Sequence, residues 1–268
     1  MRRQIPRLAD PELSIVIPLR DEESNVAPLH EELTRVLAAI GAPYEMILIE
    51  DGSVDGTFAR LRDIHSRDPR VHVIRFTRNF GQTAAFAAGF AAARGRFIIT
   101  ADGDLQNDPA DIPRMLELAR THDVVCGWRK DRKDAFLTRH VPSVAANWLL
   151  GQVSGIHLHD NGCSLKVFRA EVVKPLKLRP GMHRYLPALA SQLGGRVAEV
   201  VVNHRPRRFG RSKYGLSRTF GVIAVLVTLR RLMREAVDPA AHAPRIYEIA
   251  EVLEAGPTTT QANGSSGL

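Results

Sequence analysis

The chain has 268 residues, 44% of them hydrophobic, and a formal net charge of +8, with a pI near 10.0. That length makes one large domain, or one domain with an appendage, and the apolar fraction is ample for a core. An excess of base asks for an anionic partner: nucleic acid, a phosphorylated substrate or an anionic membrane. An aromatic content of 6% speaks against the aromatic and basic platforms of a nucleic-acid-binding module. Cys126 and Cys163 form no paired motif and read as reduced, buried thiols of a cytosolic protein. The opening MRRQIPRLADPEL has no apolar h-region, so no signal peptide is expected. The apolar stretch over 220–229 is shorter than the about 20 residues a membrane-spanning helix takes.

Strands and helices alternate through the first half. LSIVIPL over 13–19 is a continuous apolar strand. Ser24 is expected to cap a helix carrying Leu29, Leu33, Val36, Leu37 and Ile40 on one face. A second strand covers 44–49, and Asp55 caps a helix through Leu61 and Ile64. A third strand covers 71–76, an Ala-rich helix 81–94 and a fourth strand 96–100. Asp108-Pro109 has the form of a cap followed by a first-turn proline, opening a helix through Met115 and Leu118. A fifth strand covers 123–127. Repeated β-α units imply a parallel sheet covered on both faces, with ligands at the carboxyl ends of its strands.

The second half is less regular. A helix is expected over 136–153, a turn at 160–163 leading into 164–168, a helix over 182–193 and a strand over 197–203. RPRRFGRSKY over 205–214 is a basic, Gly-broken loop. A helix over 216–235 places Leu216, Phe220, Ile223 and Val227 at helical spacing, flanked by Arg218, Arg230, Arg231 and Arg234. Such a helix can lie in a membrane interface or dock on the domain's own core or a second subunit. A short helix is expected over 245–254, with Ile246, Ile249 and Leu253 on one face, and disorder over 256–268.

Four polar clusters fall after predicted strands, at one edge of the expected sheet: Arg20-Asp21-Glu22-Glu23, Glu50-Asp51-Gly52-Ser53, Asp102-Gly103-Asp104, and Arg129-Lys130-Asp131-Arg132. Any one of them is an ordinary polar turn or helix cap. Four on one edge make a site. Asp102 and Asp104 are two residues apart and point the same way in an extended chain. They can converge on a hard cation such as Mg²⁺ or Mn²⁺, which takes one or two carboxylates and fills its shell with phosphate and water. The basic groups can neutralise phosphates. The ten histidines show no metal-ligand spacing such as H-E-x-x-H. Ser53 has no adjacent His to make it a nucleophile.

Seven segments then carry a family likeness: IPLRDEESN at 17–25, IEDGSVDGT at 49–57, RNFGQTAAFAAGF at 78–90, ADGDLQNDP at 101–109, R-x-x-R-x-D at 129–134, DNGCSLKVFR at 160–169 and RRFGRSKYG at 207–215. In these the chain resembles the polyprenyl-phosphate glycosyltransferases of glycosyltransferase family 2, which include dolichyl-phosphate mannose synthase and bacterial undecaprenyl-phosphate sugar transferases. GMHRYLPALA at 181–190 looks more like the bacterial branch. The likeness covers roughly 13 to 235 in family order.

The resemblance implies a GT-A fold: an α/β, Rossmann-like, mostly parallel sheet flanked by helices. The implied layout is an N-terminal extension over 1–12, the GT-A domain over 13–215, C-terminal amphipathic helices over 216–255 and a disordered tail over 256–268. The implied reaction moves a sugar with inversion from a nucleotide-diphosphate sugar to a polyprenyl phosphate, with Mg²⁺ or Mn²⁺. Pro18, Arg20, Glu22, Glu50, Asp51, Gly52, Ser53, Asp102 and Gly103 are implied to bind the donor, Asp51 at its base. Arg207, Ser212 and Lys213 would close over its diphosphate. Asp102, Asp104 and Gln106 are the implied metal set. Asp104, Arg129 and Asp160 are the implied catalytic residues, with Asp160 by the reacting centre. Arg132, Arg139 and Ser143 are the implied acceptor-phosphate set.

Three positions depart from the family pattern. Glu50 replaces an Asp and Gly103 an Ala. Val144 stands where many relatives carry an Arg or Lys that meets the acceptor phosphate, leaving that contact to Arg139 or Arg132. Many bacterial relatives also carry two transmembrane helices after the SKY loop. The expected partners are the two substrates, a membrane surface, and an integral-membrane protein or a second copy of the chain, with the enzyme peripheral on the cytoplasmic face of the membrane. The rival readings are a family-2 enzyme acting on a saccharide or protein hydroxyl, which needs a clear catalytic base, and a nucleic-acid-binding module.

Overall fold

A computed structural model of the chain describes residues 10–130, 151, 155–206, 231, 233–238 and 246–254. Eight strands form one sheet: β1 (Leu13–Leu19), β2 (Tyr44–Glu50), β3 (Val71–Phe76), β4 (Phe97–Thr100), β5 (Val124–Trp128), β6 (Lys166–Arg169), β7 (Val197–Val201) and β8 (Ile249–Leu253). The helices are α1 (Glu23–Ile40), α2 (Thr57–Arg67), α3 (Gln82–Ala92), α4 (Ile112–Ala119), α5 (Ala170–Val173) and α6 (Leu186–Gln192). The strand order is β7-β5-β6-β4-β1-β2-β3-β8.

β1 pairs in parallel with β2 and β4, β2 with β3, and β5 with β7. The β-α alternation of the first half thus yields the expected parallel centre. β6 is antiparallel to both β4 and β5 and lies between them. It brings the start of its own strand to the edge where the parallel strands end. The topological switch of the sheet, where ligands bind in open α/β folds, therefore gathers turns from both halves of the sequence.

Alternate side chains of β1 serve opposite faces. Ile15, Ile17 and Leu19 pack with Val26, Leu29, Leu33 and Leu37 of α1, Leu61 of α2, and Ile112 and Met115 of α4. Val16 faces the other way, into a cluster with Ala85, Phe86 and Phe90 of α3, Phe168 of β6 and Leu189 of α6. A strand buried on both faces needs the continuous apolar run seen in LSIVIPL. α3 is apolar nearly all round, and its Thr83, Ala84, Ala85, Phe86, Ala88, Gly89 and Phe90 are buried. That is the pattern of a core helix rather than a surface one.

Several expectations are corrected. α1 starts at Glu23, with Glu22 in the capping position and no side-chain cap, so Ser24 lies inside the first turn. Asp108 accepts from the Ala110 amide as expected of a cap, but the turn it opens is a 3-10 turn, Pro109–Asp111, before α4 begins. The helix expected over 182–193 is a 3-10 turn, Met182–Tyr185, followed by α6.

The short helix expected over 245–254 is instead β8, paired antiparallel with β3. Ile249 and Leu253 are four apart, a spacing that fits one helix face and also the i, i+4 positions of a strand. β3 would otherwise leave a row of unpaired backbone groups at the sheet edge, and β8 satisfies them. Glu251 of β8 also meets Arg62 of α2 at 3.6 Å.

The expected helices over 136–153 and 216–235 lie almost wholly outside the described residues. Of the second, 231 and 233–237 are helical. Met233 and Ala236 there are buried in the main core, and Lys177 donates from its amide to the Ala236 carbonyl at 2.9 Å. This end of the segment docks on the domain itself. Cys126 and Cys163 are free and buried, and burial pushes their thiols up to about 12 and about 11.

Candidate active site

The turns after β1 and β2 are knitted together. The Asp51 amide donates to the Leu19 carbonyl at 2.8 Å. The Asp21 amide donates to Ser53 Oγ at 3.0 Å, and the Val54 amide returns a bond to Asp21 Oδ1 at 2.9 Å. The Glu22 amide donates to Thr57 Oγ1 at 2.8 Å. Asp21 is held at φ 48, in the left-handed region that a non-glycine residue adopts only when its surroundings fix it.

The two acids of the second turn differ in environment. Glu50 is 1% exposed. Its Oε1 accepts from the Ser53 amide, and its Oε2 lies 3.4 Å from Arg75 Nε. Its extra methylene relative to Asp carries the carboxylate back into the sheet. Asp51 accepts from the Phe80 amide at 2.7 Å and from the Gly81 amide at 2.9 Å. Burial raises the Asp51 carboxyl above the usual aspartate value, against the pull of those two amides and of Arg20. Gly52 makes the junction with the turn after β3. It has φ 66, and a Cβ there would lie 2.3 Å from the Asn79 backbone nitrogen.

The turn after β4 carries the paired carboxylates. Gln82 Nε2, at the start of α3, donates to Asp102 Oδ1 at 2.7 Å. Asn107 Oδ1 accepts from the Asp102 amide and from Ser164 Oγ, both at 2.9 Å. Asp104 Oδ1 accepts from the Gln106 amide at 3.2 Å, and Gln106 Nε2 donates to the Arg205 carbonyl at 3.4 Å. Gly103 sits over Leu19, where a Cβ would lie 2.3 Å from Leu19 Cδ2. The family's usual Ala would have to displace that methyl.

Among the described residues no group of three or more His, Cys, Asp or Glu side chains can hold a metal by itself. Asp102 and Asp104 offer hard oxygen donors of the kind a divalent cation takes when phosphate and water fill the rest of its shell.

Arg129, just past β5, meets Asp160 in a forked pair. Nε lies 2.7 Å from Oδ2 and Nη2 lies 3.0 Å from Oδ1. The side chains are 10% and 11% exposed. Burial lowers the guanidinium's affinity for its proton, but Asp160's hydrogen bonds and charge outweigh this and raise it further, with Asp102 contributing from a distance. The Asp160 turn is held on both sides. Its amide donates to Glu199 Oε1 at 2.9 Å, and the Gly162 amide donates to Asp160 Oδ1 at 3.1 Å. Lys166 Nζ, 4% exposed, donates to the Asn161 and Cys163 carbonyls. The ring of His159 stacks on Trp128 at 4.1 Å.

Of the sequence candidates, Pro18, Arg20, Glu22, Glu50, Asp51, Gly52, Ser53, Asp102, Gly103, Asp104, Gln106, Arg129 and Asp160 fall at this one sheet edge or in the turns leaving it. Arg132, Arg139, Ser143, Arg207, Ser212 and Lys213 lie outside the described residues. Sequence reasoning passed over Gln82, Asn107, Ser164, Lys166 and Glu199, which orient the others. One signal was available for Glu199: a lone acid in the apolar strand VAEVV.

Residues 14–176 match the model of "Glycosyl transferase family 2". The chain is 46% identical over 233 residues to the dodecaprenyl-phosphate galacturonate synthase of Rhizobium johnstonii, covering 85% of this chain and 69% of that protein. It is 36% identical over 218 residues to the undecaprenyl-phosphate 4-deoxy-4-formamido-L-arabinose transferase of Aeromonas hydrophila, covering 81% of this chain and 67% of that one. In fold it is similar to glucosyl-3-phosphoglycerate synthase of Mycobacterium tuberculosis, solved with Mn²⁺ and UDP-glucose. The TM-score is 0.63 at 17% identity, over 82% of this chain and 79% of that one. The mostly parallel sheet, its carboxylate-bearing edge and the match over 14–176 lead to one assignment: the chain belongs to glycosyl transferase family 2 and is a glycosyltransferase with a GT-A-like fold.

Proposed function

We propose that the chain is an inverting, metal-dependent transferase that moves a sugar from a nucleotide-diphosphate sugar to a polyprenyl phosphate. The observation that carries the acceptor class is the likeness, over 81–85% of the chain, to relatives named for polyprenyl-phosphate sugar transfer. The side-chain chemistry of the sheet edge is consistent with it.

An acceptor phosphate monoester, with a second pKa of about 6, is largely dianionic near neutral pH and needs no strong base. Its oxygen attacks the anomeric carbon as the bond from that carbon to the diphosphate breaks, and the electron pair leaves with the nucleoside diphosphate. No proton has to move. A single displacement inverts the anomeric centre. The sugar gains positive charge in the transition state, as in other glycosyl transfers, and the leaving group gains negative charge.

Asp102, Asp104 and Gln106 are the side chains that would hold Mg²⁺ or Mn²⁺. When bound, the ion supplies charge neutralisation for the diphosphate. Arg129 supplies fixed positive charge beside the reacting centre, in a site whose donors are already oriented. Asp160 is held by the Arg129 guanidinium at both oxygens, a poor arrangement for a proton acceptor. This favours a phosphate acceptor over a saccharide or protein hydroxyl. Asp51 is the group nearest in chemistry to a base reader, and Arg207, Ser212, Lys213, Arg132, Arg139 and Ser143 complete the proposed donor and acceptor contacts.

The proposed location is the cytoplasmic membrane surface, reached through the basic sequence preceding the docked end at 233–237 or through an integral partner. Among the described residues no helix is long and apolar enough to cross a membrane. Binding to anionic vesicles at low salt that falls as salt rises would support this, since screening shortens to about 3 Å at 1 M. Indifference to vesicles would rule out direct binding by the basic segment and leave the integral partner as the route.

The test of function is a donor panel of UDP- and GDP-sugars, headed by UDP-galacturonate, incubated with a short polyprenyl phosphate. Release of nucleoside diphosphate dependent on the lipid is the expected result. Release that is identical without the lipid would contradict the acceptor assignment.

A further inference from the structure

Beyond the strand edge, the chain leaving β7 runs back along the outside of the Asp102–Asp108 turn. Asn203 donates from its amide to Asp111 Oδ2 at 2.7 Å, and its Nδ2 donates to Asp108 Oδ2 at 2.9 Å. His204 bridges Asn107. The Arg205 amide donates to the Gln106 carbonyl at 2.9 Å, and Gln106 Nε2 donates to the Arg205 carbonyl. The Arg205 guanidinium then forks. Nη1 lies 2.6 Å from Glu32 of α1 and Nη2 lies 2.5 Å from Asp108.

One residue thus ties α1, the turn after β4 and the chain after β7 into a single unit. The tie holds a turn that is strained: Leu105, between Asp104 and Gln106, has φ 62 and is buried. A bulky non-glycine residue stays in that region only where its surroundings over-determine it. An isolated surface ion pair contributes little. Here two pairs and two backbone bonds converge on one side chain and its own peptide.

We propose that Arg205 is a positioning residue for donor binding: it fixes the strained Asp104-Leu105-Gln106 turn so that the carboxylates face the diphosphate. Its kinetic consequence rests on the donor site proposed above. Its structural consequence does not.

The test compares the full chain with Arg205→Ala, Arg205→Lys and Glu32→Gln. In ligand-free protein, backbone hydrogen exchange over 102–108 should speed up in Arg205→Ala and, to a smaller degree, in Glu32→Gln, with β1 to β3 unchanged. In the transfer assay, the donor KM should rise roughly tenfold in Arg205→Ala, a change equal to about 1.4 kcal/mol, with the acceptor KM held. Lys should restore part of the loss through one of the two ion pairs. Unchanged exchange over 102–108 would overturn the proposal, as would donor and acceptor KM rising together. If the wild-type chain transfers no sugar, the functional reading fails, and the exchange measurement alone still decides the role of Arg205. Should Arg205→Ala fail to fold, Glu32→Gln carries the same comparison.

Discussion

Arg129 and Asp160 form a two-pronged, nearly buried ion pair, at 2.7 and 3.0 Å, across the join between β5 and the turn that opens β6. The two residues are 31 positions apart. Only the antiparallel insertion of β6 beside β5 brings them together. The pair fixes one end of the candidate site, and Asp102 and Asp104 fix its middle.

Removing one member of this pair strands the other. Arg129→Gln is expected to cost about 3–5 kcal/mol of stability, the usual penalty for an unpaired buried charge. It is also expected to abolish transfer at temperatures where the variant remains folded. Chemical unfolding and a low-temperature transfer assay separate the two effects. Wild-type turnover in a folded Arg129→Gln would remove the pair from the active site.

The paired carboxylates give a sharper chemical prediction. Excess chelator, or Asp104→Asn, should eliminate transfer while leaving thermal unfolding nearly unchanged, since Asn matches the buried Asp in size and keeps an oxygen to accept from the Gln106 amide. Readdition of Mg²⁺ or Mn²⁺ should restore the chelated wild type and not the variant. Full activity in chelator would end the metal assignment.

Gly52→Ala tests the junction between the turns after β2 and β3. The new Cβ meets backbone at 2.3 Å, at φ 66. Backbone strain of about 1–3 kcal/mol and overpacking of about 1–3 kcal/mol should both appear in the unfolding free energy. Donor affinity should fall with them, because Asp51 is oriented by the same turn through Phe80 and Gly81. A stability loss below about 0.5 kcal/mol, the range of ordinary surface changes, would show that the turns are not locked as described.

Away from the site, Asp68 sets part of the acid limb of stability. Burial opposes its charge, but hydrogen bonds from His30 and Arg70 outweigh burial and hold its carboxyl far below the usual value. A depressed acid stabilises the fold fully above its unfolded value, about 3.9, and loses that contribution as pH falls towards the folded value. Asp68→Asn should therefore cost about 1.5–3 kcal/mol at neutral pH, as expected for bonds to a charged group. The gap to wild type should narrow below about pH 4. Urea unfolding across pH 7 to 2 reads this. A gap that stays constant over that range would contradict it.

The parallel centre of the fold was legible because continuous apolar runs such as LSIVIPL and FIIT have few other uses, and their polar turns fall on one edge. The antiparallel members were not. β8 is a strand because β3 needs an edge partner, a demand set 171 residues away, where Thr77 Oγ1 meets Glu248 Oε2. Asp102 and Asp104 could be named from their spacing, and Arg129 and Asp160 singly from the family likeness, but not as a pair. Their supports could not, because Gln82, Asn107, Ser164 and Glu199 act through contacts that only the sheet order creates. Glu50 shows the limit in one residue. Its place in the motif points at the donor, while its carboxylate turns back to Ser53 and Arg75.

The proposed nucleophile is a lipid phosphate. The most direct measurement is mass analysis of the lipid product when the chain is given its best donor with a polyprenyl phosphate in one reaction and the matching polyprenyl alcohol in another. The expected result is a glycosyl phosphodiester from the phosphate, with one nucleoside diphosphate released per sugar transferred, and no product from the alcohol. A glycosylated alcohol beside unmodified polyprenyl phosphate would contradict it.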